Sequence, residues 1–220
     1  TSLCNELTDQ LNALSDSLDR DSGGLADMGK DLQDRARAAM FSLGAAYPEL
    51  SGYYPQPKGL LFPAFLSVQN LSGIYSPFTI EANYNSAMVS YNLPFTICHE
   101  LSHLRGFMQE EEANFIGFLA CVNADDTAFN YSGYLLGWIY ATNELYEVDY
   151  DTFEEIYNRL SDNVKADLSA NSSFWKRYDS KVAEVSGQIN DHYLKANGQS
   201  DGIKSYDRMV DLMITWFRSK

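Results

Sequence analysis

Residues 95–121 read FTICHELSHLRGFMQEEEANFIGFLAC. Within them, His99, Glu100, Leu101, Ser102 and His103 form an HExxH sequence. On a helix, residues four apart lie on one face, so both imidazoles can reach one ion. Glu100 neighbours the first histidine, and its carboxylate can reach a water on that ion rather than the ion itself. The pattern is that of a Zn2+ site with a built-in general base. A catalytic zinc needs a third protein ligand and an open fourth position. The chain has only 3 histidines, and this pair uses two of them.

The third ligand is sought among Glu110, Glu111 and Glu112. If a helix begins near Gln109, these three point about 100° apart, so at most two face the first helix. Glu110 shares a face with Asn114. Ala113, Gly117 and Ala120 share a face of small residues that lets two helices approach closely. We therefore assign Glu110 as the third ligand and give Asn114 the role of holding a ligating ring through its amide. Glu111 and Glu112 read as acids favoured by the positive end of a helix. Cys98 is rotated about 100° from His99, away from the metal, and reads with Cys121 as a buried thiol.

A zinc hydrolase also needs a donor for the developing oxyanion. His192 and Tyr193 are the first candidates, followed by Tyr134, Arg159 and Tyr206. FTIEANYN (residues 78–85) reads as a strand just before the metal helix. As an exposed edge it can pair with an extended peptide, with Glu81 and Asn83 lining the cleft. As an ordinary hairpin it only covers the core, and both readings stay open.

These residues must be positioned by the rest of the chain. Leu3, Leu7, Leu11, Leu14 and Leu18 have helical spacing, and Asp21, Ser22, Gly23 and Gly24 end that helix. A second helix is expected over residues 25–46. All 6 prolines fall in residues 47–94, which read as loop and short strand, with a hairpin joining residues 78–85 to 86–92 around Asn83 and Ser86. Helices are then expected over residues 94–105, with Pro94 in the first turn and Gly106 as the stop, and over 109–123, 125–146, 149–160, 164–168, 171–190 and 203–218. The fold class is α+β, mainly helical, a zincin-like core with a small β element before the HExxH helix. We read residues 1–220 as one domain: 1–46 N-terminal helices, 47–93 loop and strands, 94–124 the motif helices, 125–220 the C-terminal helical part.

The chain carries 16 basic and 30 acidic residues, a formal net charge of −14. Nucleic acid is an unfavourable partner, since phosphate binding needs a basic face. The 3 cysteines form no CxxC pair, and the odd number argues against a full disulfide framework. No run approaches the roughly 20 apolar residues of a membrane span. The chain begins with Thr1 and reads as part of something longer or as a processed product.

An HExxH helix followed by an E-x-x-A-[D/N] helix resembles the gluzincin zinc metallopeptidases, in which the first Glu of the second motif is the third ligand; EEEAN fits with Glu110. The spacing departs from that class, because Glu110 follows His103 more closely than in most gluzincins. HELSHLRG also echoes the metzincin pattern HExxHxxGxxH, but its third ligand would fall on Gln109, a poor zinc ligand. LSGIYSPFTIEANYN, LPFTICHELSHLRGFMQEEEANFIGFLAC and NDHYLKANGQSDGIKSYDRMVDL together resemble the bacterial DUF3810 family. That resemblance implies the soluble part of a membrane-anchored protein, at the cell membrane and on its extracytoplasmic side. Its membrane-spanning segments would lie outside this sequence.

The sequence thus leads to a zinc-dependent metallopeptidase acting on a peptide or protein substrate. His99, His103 and Glu110 bind zinc, and Glu100 activates the water. Two alternatives stand beside it: a zinc amidase or hydrolase acting on a non-peptide bond, and a non-catalytic structural or sensory domain stabilised by its metal.

Overall fold

Leu3, Leu7 and Leu11 are buried along one side of the first helix, α1 (Ser2–Ser17), as their spacing requires. The structure, a computed structural model, describes residues 1–179 and 207–219. The second helix, α2, spans Leu32–Ala46 and starts later than residue 25. The cause is local. Asp21 Oδ1 accepts from the N–H groups of Gly23 (2.8 Å) and Leu25 (2.9 Å), and Asp27 Oδ1 accepts from Gly29 (2.8 Å). Aspartates that bond their own backbone in this way compete with the helix, and residues 20–26 double back into a bridge instead.

Three short strands follow: β1 (Lys58–Gly59), β2 (Gly73–Ser76) and β3 (Glu81–Tyr84), with α3 (Ala64–Val68) between the first two. The sheet order is β1-β3-β2, with β1 parallel and β2 antiparallel to β3. Residues 86–92 are not the second arm of a hairpin: the Asn85 side chain accepts from Ala87 N–H (3.1 Å), and the chain turns directly into the next helix. Strand 81–84 is also the central strand, so it offers no edge to a peptide. The edge beside the motif helix is β2.

The motif helix, α4 (Asn92–His103), begins two residues before Pro94 and ends earlier than residue 105. Pro94 lies in the first turn, where a missing N–H costs no helical bond. Every residue of α4 except Leu93 is buried, as for a helix enclosed on all sides. Around it lie α2, both longer strands, α5 (Glu110–Val122) and α6 (Thr127–Val148). Asp126 caps α6 by accepting from Ala128 N–H (3.0 Å) and Phe129 N–H (3.2 Å), and its carboxylate also holds Arg35 (2.7 Å). Next come α7 (Tyr150–Asn158) and α8 (Asp162–Lys176). The latter is one helix where residues 164–168 and 171 onward were expected as two. Val164, Asp167 and Phe174 bury along its side and carry it through the polar stretch between.

The C-terminal helix (Asp207–Arg218) buries Met209 and Met213 and lays Trp216 against Phe118, with ring centroids 5.5 Å apart. One hydrophobic cluster runs from Leu3 to Met213. The fold is thus α+β, predominantly helical with a three-stranded sheet. Among the described residues no helix is long and apolar enough to cross a membrane.

α4 and α5 form the central antiparallel pair. Ala113, Gly117 and Ala120 are all buried between them and their neighbours. A Cβ placed on Gly117 would lie 3.3 Å from Phe95 O and from His99 N, so the backbones meet with no side chain between. Gly117→Val therefore forces the helices apart. We expect it to lower the unfolding free energy by about 1–3 kcal/mol, read from urea denaturation. An unchanged midpoint would contradict the close packing.

Candidate metal centre

His99, Glu100 and His103 lie on the last turns of α4, and Glu110 opens α5. Gly106, at φ +89°, lets residues 104–109 reverse the chain between them, and its N–H donates to His103 O (3.0 Å). That reversal delivers Glu110 to the histidines. His99 Nε2 is 3.2 Å from His103 Nε2 and 3.3 Å from Glu110 Oε2, and His103 Nε2 is 3.9 Å from Glu110 Oε1. One ligand atom from each residue lies within 4.8 Å of the others, so the three could hold a metal ion. Metal–ligand bonds of about 2.0–2.1 Å in a tetrahedron set ligand atoms about 3.3 Å apart. The two shorter separations already match that edge.

One ring is held from behind. His103 Nδ1 donates to Phe107 O (2.7 Å), which puts the proton on Nδ1 and leaves the Nε2 lone pair facing the cluster. Asn114 is buried on α5 near His99 and favours the protonated ring, but His99 Nδ1 and Asn114 Nδ2 are both buried with no hydrogen-bond partner. Tyr75 of β2 packs its ring against His103 (centroids 5.8 Å, planes at 37°).

Glu100 lies close by but apart from the three. Its Oε1 is 4.0 Å from His99 Nε2, and its buried Oε2 has no hydrogen-bond partner. It lies against the backbone of β2 at Gly73. A Cβ there would come within 2.8 Å of Glu100 Cγ and Cδ, so only glycine leaves room for the carboxylate.

Charge among these groups is unevenly shared. Burial alone would lower the His99 imidazole, but the hydrogen bond and charge of Glu110, with the charge of Glu100, lift it to about 9. Burial and the neighbouring His99 charge push His103 down to about 4. Burial raises Glu100 to about 8 against the pull of His99. Glu110 is also penalised by burial, yet its bond to His99 holds it below the usual carboxylate range. A proton on His99 thus stands where a cation would.

The other candidates are placed as follows. Glu81 pairs with Lys58 and accepts from Thr79 (3.1 Å), and Asn83 Nδ2 donates to Ile74 O (3.3 Å). Tyr75 and its cross-strand partner Ala82 share one face, so Glu81 and Asn83 fall on the opposite one, away from His103. They do not line the site. Tyr134 packs its ring on Phe118 (6.3 Å), and Arg159 ties α7 to Asp9 on α1 (2.5 Å), so neither is part of the cluster. His192, Tyr193 and Tyr206 lie outside the described residues.

Glu111 stands in the first turn of α5, as expected, and has a further partner there. Its side chain is 5% exposed, and its Oε1 accepts from Arg208 (3.2 Å) of the C-terminal helix. Glu112 is exposed. Cys98 and Cys121 are buried free thiols, as expected. Gly73, Tyr75, the Phe107 carbonyl and Arg208 were not read from the sequence. The period-2 spacing of Gly73 and Tyr75 would have placed them on one face had GIYS been recognised as a strand. No local signal marks Arg208, which is far from Glu111 along the chain.

With the His99 imidazole raised to about 9, the metal-free ring is protonated at neutral pH and must lose that proton to become a ligand. The apparent affinity for an added divalent metal ion should therefore rise about tenfold per pH unit through neutrality and level off near pH 9. Calorimetry at pH 7 in buffers of different ionisation enthalpy should report about one proton released. No release would remove His99 from the ligand set.

Neither a curated protein nor a solved structure matches the chain. A family model described as "Protein of unknown function (DUF3810)" matches residues 1–214. The chain belongs to the DUF3810 family.

Proposed function

We propose that the protein is a zinc-dependent metallopeptidase with a zincin-like core. Two imidazoles and one carboxylate suit zinc, and catalytic zinc sites with two histidines and one glutamate are a known donor set. When bound, zinc supplies Lewis-acid polarisation of water and of the scissile carbonyl. Glu100 takes the proton of the attacking water and returns it to the leaving amine, giving two peptides with no covalent enzyme intermediate. Glu110, His99 and His103 would hold the ion, and the Phe107 carbonyl keeps the His103 ring turned toward it.

The observation that carries this reading is Glu100 itself. A buried carboxylate with an unpartnered Oε2 is costly unless it has a task, and it sits beside the three ligands without joining them. Among the described residues no fourth His, Cys, Asp or Glu side chain completes the cluster. That supports an open position over a closed structural site. β2 supports a peptide over a non-peptide substrate: it is an edge strand against Glu100 and His103, suited to pairing with an extended chain. An amidase acting on a non-peptide bond would use the same groups without that edge.

Zinc content and hydrolysis of labelled casein test this together. His99→Ala should lose zinc. Glu100→Gln should keep it and lose about 10²–10⁴ in turnover. Glu110→Ala should weaken zinc binding far more than Glu112→Ala, and equal effects would remove Glu110 as a ligand. A wild-type protein that holds no zinc in slight excess of metal would end the proposal. Zinc binding without hydrolysis of any peptide substrate would favour the structural or sensory reading. Gly73→Ala adds a separate check: it should leave zinc bound but displace Glu100, so that turnover falls as in Glu100→Gln. Full activity in this variant would show that the close approach at Gly73 does not position the base.

A further inference from the structure

The chain is strongly acidic, yet residues 59–80 contain no Asp, Glu, Lys, Arg or His, the longest such run in the sequence. The same segment holds a concentration of exposed large apolar side chains. Leu61 is 91% exposed, Phe62 80%, Phe65 66%, Phe78 98% and Ile80 59%. Leu61, Phe62 and Phe65 belong to the connection that carries α3 and leads into β2; Phe78 and Ile80 belong to the turn that leads out of it. The two apolar connections therefore bracket one four-residue strand.

Three features bear on what covers them. These side chains project from connections, and neither the cleft beside Tyr53 nor the one beside Leu145 is lined by them; small-molecule and peptide pockets are concave. A fluid apolar medium moulds itself around projecting groups. Second, the polar backbone of the first connection is bonded within itself. Phe65 N–H donates to Phe62 O (3.0 Å), Leu66 N–H to Pro63 O (3.1 Å), Gln69 N–H to Leu66 O (3.0 Å), Asn70 N–H to Ser67 O (3.0 Å) and Leu71 N–H to Leu66 O (3.0 Å). Removing it from water strands few polar groups. Third, the charges that bound the run, Lys58 and Glu81, pair with each other. The exposed rings at the α6–α7 junction differ: Tyr146 and Tyr150 lie among Glu144, Glu147, Asp149 and Asp151, an environment that opposes burial in lipid.

We infer that residues 61–65 and 78–80 form a docking surface for the interfacial region of a lipid bilayer with zwitterionic headgroups. The lipid is uncharged overall because the protein's −14 charge repels an anionic surface and the segment carries no basic residue to attract one. Apolar burial of the five side chains drives the association. The inference does not rest on the metal site. Its geometric consequence is that β2, with Glu100 and His103 beside it, is held close to the headgroups.

Co-sedimentation of the 220-residue chain with phosphatidylcholine vesicles tests it. Binding should be insensitive to salt and should not strengthen when phosphatidylglycerol is added. Phe62→Ser, Phe65→Ser and Phe78→Ser should each lower the partition coefficient about tenfold, and the triple variant by roughly a thousandfold. Tyr146→Ser should leave it unchanged. Zinc content and thermal unfolding of the triple variant should match the wild type, since all three side chains are exposed. Absence of vesicle binding, or undiminished binding by the triple variant, would overturn the inference. So would a concentration-dependent dimer in sedimentation equilibrium that the same substitutions abolish, because the patch would then join two copies of the chain.

Discussion

Where α5 crosses α4, Gly117 places nothing but backbone against Phe95 and His99, with 3.3 Å left for any added carbon. The rest of the site follows from that contact. Two helices held at backbone distance cannot slide or spread by an ångström without a clash or a void. The first residue of α5 is therefore held at a set distance from the last turns of α4. The reversal at Gly106 does the remainder, bringing Glu110 to the two imidazoles rather than past them.

That closeness creates an electrostatic problem. His99, Glu100, His103 and Glu110 are all largely withdrawn from water, and each charged form costs desolvation. The cluster resolves this unevenly, with a proton favoured on His99, His103 neutral, Glu110 ionised and Glu100 raised toward neutrality. A single cation among three lone-pair donors would relieve the same imbalance. The Phe107 carbonyl keeps the His103 ring aimed at that point without adding charge.

Two distant parts of the chain are committed to the same place. The C-terminal helix reaches the first turn of α5 through Arg208 and Glu111, next to Glu110, while its Met209 and Met213 anchor it in the core. On the other side, β2 faces Glu100 and His103, and the connections at its two ends carry the exposed apolar side chains. Core packing, the candidate metal cluster and the exposed apolar side chains therefore converge on a strand of four residues.

The helical parts of this arrangement were legible in the sequence because helices are encoded by neighbours. Leucines three and four apart announce α1, and HELSH places two imidazoles on one side of a helix whatever surrounds it. The face shared by Ala113, Gly117 and Ala120 foretold the close approach, and with it Glu110. What failed was decided at longer range or by competing side chains. The aspartates near residues 21 and 27 drew the backbone into a loop and delayed α2. Strand β3 found its partners in β1 and β2 rather than in the adjacent residues, and that pairing turned Glu81 and Asn83 away from the histidines. Glu110 and Glu111 are chemically identical neighbours, and only the tertiary structure separates them: about 100° of helical rotation aims one at His99 and the other at Arg208. The sequence by itself determined that two histidines and a glutamate share one helix. Only the packing of α5, β2 and the C-terminal helix decided what meets them there, because those contacts join residues that no local periodicity relates.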